Sequence, residues 1–208
     1  MAQETEQTQL LAGATALQQE LNQLQVEKLI SYLGLLRKWN KTYNLTAITE
    51  PAGIVSHHFL DSLSIAPYLQ GTQFIDVGTG AGFPGLPLAI CFPNRHFVLL
   101  DGNGKKTRFL TQVSMDLALS NVEVVNDRAE LITERSFDCV LVRAFGTLSK
   151  IAAATSHLLG DGGVILAMKG ALTKVELSEV PENIKVQGIR PLAVPGVTGI
   201  RKLAILSR

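Results

Sequence analysis

Apolar residues in the first third of the chain recur at spacings of three and four, which is the period of one face of a helix. The pattern predicts a helical region over residues 1–70, including one helix at about Val26–Asn40. Pro51 is expected to stop any helix that reaches it. The positions that carry the apolar stripe are Leu17, Leu21, Leu24, Ile30, Leu33 and Leu36.

From Gln73 onward, short apolar runs alternate with helical stretches, which is typical of a parallel sheet with helices between its strands. The runs predict strands at 73–77, 96–100, 122–125, 137–142 and 163–168, followed by a terminal hairpin from 184–194 and 203–206. Helices are predicted from about Gly85, over Lys105–Leu119 and over Leu172–Glu179. We therefore expect a helical N-terminal extension, residues 1–70, packed on an α/β domain, residues 71–208.

A glycine-rich turn follows the first predicted strand. Gly78, Gly80 and Gly82 stand at alternate positions, where they permit positive φ and leave no side chain between a ligand and the main chain. The next strand ends in Asp101, about 20 residues after the glycines, where a carboxylate can accept hydrogen bonds from a ribose diol. This spacing predicts a cofactor that contains a nucleoside.

Two classes of cofactor fit that spacing. Gly80-x-Gly82-x-x-Gly85 matches the dinucleotide fingerprint, which would make the protein an oxidoreductase. Asp76 argues against this, because a carboxylate two residues before the first glycine would repel a pyrophosphate. S-adenosylmethionine carries a sulfonium, an ammonium and a ribose but no phosphate, so acidic strand ends favour it. Alternatively, Asp76 only hydrogen-bonds the turn and contacts no cofactor.

Polar residues also follow the later strands. Asn126–Glu130 forms an acidic, amide-rich turn, and Arg143 and Lys169 each end an apolar strand where packing requires no charge. Ligands of open α/β sheets bind at that edge, so we expect these residues to be functional. Three cations lie near the start of the predicted helix that follows Asp101, where positive charge is unfavourable for the helix dipole; these cations are Lys105, Lys106 and Arg108. Their clustering indicates either an external anion or a solvated face.

Adjacent His57 and His58 lie on a predicted short helix. Neighbouring side chains on a helix point about 100 degrees apart, which makes a poor metal pair. We expect one imidazole to be packed or to cap the helix, and we predict no metal site.

The composition limits the class of protein. A chain of 208 residues that is 46% hydrophobic can bury a substantial core, and its net charge of +1 excludes a strongly basic nucleic-acid arm but not a local basic face. Cys91 and Cys139 lie in apolar runs and are interpreted as core residues in a reducing compartment. The N-terminus has no apolar signal segment and no run is long enough to span a membrane, so a cytoplasmic protein is expected.

Taken together, the motifs resemble the family of ribosomal RNA small subunit methyltransferase G, also called glucose-inhibited division protein B. The resemblance covers nearly the whole chain. It rests on Lys38-Trp39-Asn40-Lys41-x-Tyr43-Asn44-Leu45-Thr46, His58-x-Leu60-Asp61-Ser62, Asp76-Val77-Gly78-Thr79-Gly80-Ala81-Gly82-Phe83-Pro84-Gly85 and Arg143-Ala144-Phe145. It implies a Rossmann-like class I S-adenosylmethionine-dependent methyltransferase fold, a seven-stranded and mostly parallel sheet with helices on both faces.

The resemblance also implies a reaction, namely methylation of N7 of one guanine in 16S small-subunit ribosomal RNA. It assigns cofactor contacts to Gly78, Phe83, Asp101, Gly102, Asn103, Ala129, Glu130 and Arg143, with Arg128 and Lys169 as further pocket residues; the glycine turn adds Asp76 and Gly80. The family has a serine after Asp101, whereas this chain has Gly102-Asn103-Gly104, which makes the contacts of that loop less defined.

Guanine N7 carries a lone pair and no proton, so its methylation needs no general base. The Asn/Asp-Pro-Pro-aromatic motif of many amine methyltransferases is absent after the fourth strand, where Arg143-Ala144-Phe145-Gly146 stands. We therefore predict that Arg143 and Lys169 bind and place the base. The expected partner is small-subunit ribosomal RNA, a subunit or an assembly intermediate, bound by a monomer. A non-catalytic RNA-binding assembly factor on the same fold is the alternative.

Overall fold

The computed structural model describes residues 2–208, with side chains from Thr5 onward. This part of the chain contains one sheet of seven strands in the order β3-β2-β1-β4-β5-β7-β6. The strands are β1 Gln73–Val77, β2 His96–Leu100, β3 Val122–Val125, β4 Phe137–Arg143, β5 Leu159–Lys169, β6 Lys185–Pro191 and β7 Lys202–Ser207. β1 to β5 pair in parallel, whereas β7 runs antiparallel to both β5 and β6. The predicted parallel strands and terminal hairpin are confirmed.

The strand order reverses between β1 and β4, because β2 and β3 continue on one side of β1 and the later strands on the other. A crevice opens at the carboxyl ends of the strands at such a switch point, and ligands of open α/β sheets bind there. The fold therefore directs the glycine turn after β1 and the residues after β4 to one place.

Helices cover both faces of the sheet. They are α1 Ala2–Ala16, α2 Gln23–Tyr43, α3 Pro51–Ile54, α4 Asp61–Leu63, α5 Gly85–Cys91, α6 Gly104–Asp116, α7 Leu148–Thr155 and α8 Lys174–Ser178. Alternate strand residues point to opposite faces, so Leu99 packs with α5, α6 and the N-terminal helices while Val98 packs with α7. Within residues 2–208, no helix is long and apolar enough to cross a membrane.

The N-terminal helices share a hydrophobic cluster with the sheet. On α2 the buried face contains Val26, Leu29, Tyr32, Leu33 and Leu36. These residues pack with Leu99 and with Phe109 of α6. The structure thus shows the first 70 residues docked on the α/β part, while their division into two domains stays a prediction.

Several predicted boundaries were wrong for local reasons. α2 extends beyond the predicted 26–40, because Asn22 and Gln25 form a capping box at its start and Asn44 ends it in the left-handed conformation, with φ 50°. The apolar stripe crosses a break between α1 and α2, so Leu17 lies outside any helix and Leu24 is 60% exposed.

Two further differences concern the α/β part. β5 starts at Leu159 rather than at 163, because its glycine-rich first half pairs with β4 across a register irregularity that no apolar pattern marks. The helices predicted over 105–119 and 172–179 are shorter, at Gly104–Asp116 and Lys174–Ser178. Cys139 is buried and Cys91 partly so, and burial raises the pKa of each thiol to about 12, in keeping with unreactive core residues.

Candidate cofactor and base-binding site

The glycine turn is held from behind by Asp76. Its Oδ2 accepts hydrogen bonds from Thr79 Oγ1 at 2.6 Å and from the Gly85 backbone N–H at 2.7 Å, and the residue is 1% exposed. Burial raises the pKa of this carboxyl to about 6, against the lowering effect of the two hydrogen bonds. Through Oδ2 the carboxylate therefore joins the start of the turn to the start of α5, which is the hydrogen bonding that the alternative reading of Asp76 expected. Its Oδ1 is buried without a hydrogen-bond partner among the described residues, and a cofactor contact of Asp76 stays a prediction.

Asp101 links the turn to the next loop. Its Oδ2 accepts a hydrogen bond from Gly80 N–H and its Oδ1 accepts one from Asn103 N–H, both at 2.9 Å, and Lys106 Nζ lies 3.5 Å from Oδ2. The cation at 106 on the first turn of α6 thus has an internal partner. Arg108 donates to the Gly104 carbonyl at 3.0 Å, so its guanidinium is held against the first turn of its own helix.

A first cavity of about 290 Å³ opens at the carboxyl ends of β1 and β2. Gly78 has φ 68°, and a Cβ there would lie 3.1 Å from the Phe145 ring, so this position requires glycine. The lining combines apolar side chains with the carboxylates of Asp101, Asp127 and Glu130. Its lining residues are Val77, Gly78, Leu100, Asp101, Gly102, Asp127, Arg128, Ala129, Glu130 and Phe145.

An aromatic layer lies on the other side of the turn. The His58 ring stacks on Phe83 with centroids 4.4 Å apart, and the Arg143 guanidinium lies 5.2 Å from the centroid of the same ring. Tyr32 of α2 donates a hydrogen bond to the Ala81 carbonyl within the turn. Because these contacts come from α2 and from residue 58, the N-terminal region directly supports the predicted cofactor turn.

His58 lies on a short helix, as predicted, which is the π-helix Val55–Leu60. Its Nε2 is 2.8 Å from Thr46 Oγ1 and its Nδ1 is 3.0 Å from the His57 carbonyl. A neutral ring with its proton on Nδ1 satisfies both contacts, since Nδ1–H donates to the carbonyl and Nε2 accepts from the hydroxyl. Burial, and then the charge of Arg143, lower the pKa of His58 to about 4. The packed imidazole expected here is confirmed.

A second cavity, of about 300 Å³, adjoins the first across Arg143–Phe145. Ala144 lines the second cavity and Phe145 lines the first. The second is rich in cations. Its lining residues are Ile48, His57, His58, Asp61, Arg143, Ala144, Met168, Lys169, Gly170, Leu192, Arg201 and Lys202.

Both strand-end cations in this cavity are held by carboxylates. Arg143 Nη1 donates to Asp61 Oδ2 at 3.0 Å and to the His57 carbonyl at 3.1 Å. Lys169 Nζ lies 2.8 Å from Glu176 Oε1 and also donates to the Gly146 carbonyl. These anchors fix where each positive charge faces the cavity.

The structure separates the predicted site residues into three sets. Those that line the first cavity are Gly78, Asp101, Gly102, Arg128, Ala129 and Glu130. Arg143 and Lys169 line the second. Those that line neither cavity are Asp76, Gly80, Phe83 and Asn103. The roles of all of these toward a cofactor or a base stay predictions.

Sequence reasoning gave other residues of the site no individual role. Asp127 was included only in the turn Asn126–Glu130 and Phe145 only in a family motif, yet both line the first cavity. Asp61 was quoted only as part of a motif, and its distance of 82 residues from Arg143 in the chain gave no signal of their contact.

Similarity to solved structures agrees with this geometry. The chain resembles the mitomycin 7-O-methyltransferase MmcR, with a TM-score of 0.58, 13% identity and coverage of 85% of this chain and 60% of that one. It also resembles a precorrin-6y C5,15-methyltransferase from Geobacter metallireducens GS-15, with a TM-score of 0.51, 16% identity and coverage of 71% and 87%. The fold is that of the class I S-adenosylmethionine-dependent methyltransferases.

Sequence comparison identifies the family. The family described as rRNA small subunit methyltransferase G matches residues 25–204. Ribosomal RNA small subunit methyltransferase G of Pseudomonas aeruginosa strain LESB58 is 50% identical over 202 residues, covering 96% of this chain and 94% of that protein. The protein of the same name from Saccharophagus degradans is 48% identical over 195 residues, covering 93% and 87%. The chain belongs to the ribosomal RNA small subunit methyltransferase G family.

Proposed function

We propose that this protein transfers a methyl group from S-adenosylmethionine to N7 of one guanine in small-subunit ribosomal RNA. Its family membership makes it an S-adenosylmethionine-dependent rRNA methyltransferase. The observation that carries the finer proposal is the pair of cavities on either side of Arg143–Phe145. A nucleoside cofactor in one and a base in the other would meet at this short segment.

The first cavity fits S-adenosylmethionine. Asp101 presents a carboxylate for a ribose diol, Gly78 leaves the main chain open, and Ala129 with Leu100 offers apolar contact for a purine ring. S-adenosylmethionine supplies an electrophilic methyl group on a sulfonium. The chain's own residues bind the nucleoside, and Asp76 and Asp101 fix the turn that carries it.

The second cavity supports chemistry without a general base. His57 and His58 both line this cavity. The His58 ring lies beside Arg143, yet both of its ring nitrogens have hydrogen-bonding partners and it is neutral at pH 7. It therefore has no free nitrogen to remove a proton. Guanine N7 has no proton to lose, so the site needs only to orient the base and exclude water.

We propose that a basic rim, made of cations on α2, on the first turn of α6 and around the start of β7, binds RNA phosphates. Its members are Arg37, Lys38, Lys41, Lys105, Lys106, Arg201 and Lys202. A third, larger cavity of about 830 Å³ runs along the last turns of α2 and includes Arg37, Lys38 and Lys41. Ile48 lines both this groove and the second cavity, so a single strand could follow cations from α2 to the base pocket. We further propose that the protein acts as a monomer in the cytoplasm, where its RNA substrate is made.

The test combines cofactor binding with product analysis. We expect S-adenosylmethionine, but not NAD, to raise the melting temperature. Small-subunit RNA treated with protein and labelled cofactor should yield 7-methylguanine after digestion. Label in a different methylated nucleoside would contradict the N7 assignment, and a protein that binds the RNA without transferring label would indicate the assembly factor instead.

A further inference from the structure

In a buried carboxylate among the cations of the second cavity, only one of the two oxygens accepts a hydrogen bond from the described residues. Asp61 is 3% exposed and lies between Arg143 and Arg201. Its Oδ2 accepts the hydrogen bond from Arg143, whereas Oδ1 is buried and has no hydrogen-bond partner among the described residues. Arg201 Nε lies 3.4 Å from Oδ1 in a geometry that makes no hydrogen bond. Leaving a buried acceptor unsatisfied is unfavourable, so Oδ1 is ready to accept donors from a ligand.

The Watson–Crick edge of guanine supplies such donors. Its N1–H and N2–H₂ groups lie side by side, as do the N–H groups of a guanidinium, which is the group that faces Oδ1 in this structure. Adenine offers an acceptor at N1 and no amino group at C2, so a carboxylate would reject it. The opposite edge of a guanine held in this way carries N7, which is the atom to be methylated.

The charge of Asp61 also suits the reaction. A purine becomes cationic when N7 is methylated, and the cations that line the cavity oppose this change. They are Arg143, Lys169, Arg201 and Lys202. A carboxylate hydrogen-bonded to N1–H and N2–H₂ attracts the growing positive charge without taking a proton, so its contact strengthens toward the transition state.

We propose that Asp61 reads the N1–H and N2–H₂ edge of the target guanine through Oδ1, while Oδ2 keeps Arg143 in place. This inference rests on the proposed function. The base edge replaces the Arg201 guanidinium, whose side chain is 32% exposed and turns toward a phosphate at the cost of the hydrogen bond from its Nη1 to the Ile200 carbonyl. Asp61 thereby selects guanine and points its N7 toward the first cavity.

The experiment compares small-subunit RNA, assembled by ligation, that carries either guanine or inosine at the methylated position. Inosine keeps N7, O6 and N1–H but lacks the N2 amino group. In single-turnover reactions with saturating cofactor, the wild-type protein should methylate inosine about 10-fold more slowly, the effect of losing one hydrogen bond to a charged group. Equal wild-type rates for the two bases would overturn the proposal without any variant.

The variant is Asp61→Asn. Arg143 requires an oxygen, so the amide oxygen turns to it and the amide NH₂ faces the base donors. The guanine rate should fall at least ~10-fold and the preference for guanine over inosine should disappear. Slower methylation of both bases with the wild-type preference retained would mean that Asp61 only anchors Arg143, and would contradict the proposal.

Two controls complete the design. Asp116→Asn removes an exposed carboxylate that contacts Gln112 on α6, and it should keep both rates and the preference. The melting temperature and the cofactor affinity of each variant report whether the fold is intact. Formation of 7-methylguanine by the wild-type protein is scored separately, so a failure of the proposed reaction is distinguishable from a failure of the role of Asp61.

Discussion

Replacing His58 by Gln should make the stability of the protein less sensitive to acid. In the folded state the ring is neutral, stacks on Phe83 and exchanges hydrogen bonds with Thr46 and the His57 carbonyl. Protonation would place a second N–H against Thr46 Oγ1, which already accepts a hydrogen bond from Ile48 N–H, and would bring a charge beside Arg143. Burial adds the larger cost, because the charged ring loses its water.

The structure sets the size of the effect. The pKa of His58 falls from 6.5 to about 4 in the folded protein, so its contribution to stability is fully present above 6.5 and is lost as the pH falls toward 4. Integration of the proton linkage between about pH 7.5 and pH 5 gives a loss of about 2 kcal/mol from this residue. In the unfolded chain the imidazole is free to take a proton throughout this range.

Asp76 acts in the opposite direction over nearly the same range. Its pKa rises from 3.8 to about 6 on folding, so its contribution to stability is present below 3.8 and is lost as the pH rises through 6. The two effects partly cancel in the wild-type protein. Only the difference between variants therefore isolates His58.

The assay is urea unfolding of the wild-type, His58→Gln and His57→Gln proteins at pH 7.5 and pH 5, analysed by linear extrapolation. Gln at 58 should lower the unfolding free energy at pH 7.5 but lose about 2 kcal/mol less than wild type on acidification. His57→Gln is the matched control and should keep most of the wild-type difference, because His58 remains and the charge of His57 is the smallest of the causes that act on its pKa. Parallel losses in all three proteins would refute the argument that His58 is held neutral by its surroundings.

Three other predictions follow from the site. Gly80→Val should abolish most S-adenosylmethionine binding, measured by calorimetry, because φ at this position is 64° and strains a β-branched residue by ~1–3 kcal/mol. Circular dichroism should show a retained fold, since a Cβ at this position meets only the Gly78 carbonyl, at 3.9 Å. Unchanged affinity would refute this role of the turn. Lys169→Met should slow single-turnover methylation at least ~10-fold and keep a flat pH profile from about pH 6 to 9. If instead the wild-type rate falls on the acidic side with a pKa near 6.5, and this fall is absent in His58→Gln, methyl transfer without a general base is contradicted. Substitution of several cations of the basic rim by Gln should weaken RNA binding and reduce the slope of log K against log salt by ~0.9 per lost phosphate contact. An unchanged slope would show that the rim is only solvated. The positions are Arg37, Lys38, Lys41, Lys105, Lys106, Arg201 and Lys202.

Local pattern alone determined most of the sheet. The apolar runs of β1 and β2 are buried on both faces of a parallel sheet, so they stand out as continuous runs between helical stretches. The glycine turn was equally visible, because positive φ at Gly78, Gly80 and Gly82 demands glycine at those positions. Residues at the ends of strands, such as Arg143, or directly after them, such as Asp101, could be placed at one edge because the carboxyl ends of parallel strands share it.

Tertiary structure alone decided what those residues contact. Asp76 was predicted to face a cofactor, with a hydrogen bond to the turn as the alternative, and only packing showed that one of its oxygens, Oδ2, holds Thr79 and Gly85. The link from Tyr32 to the turn joins residues 49 positions apart, and the one from Asp61 to Arg143 joins residues 82 apart. Periodicity reports which face of an element is buried, but a pairing between distant polar side chains depends on how the elements dock. The second cavity, and the unpartnered oxygen of Asp61 within it, therefore depend on the packing of the N-terminal helices against the sheet.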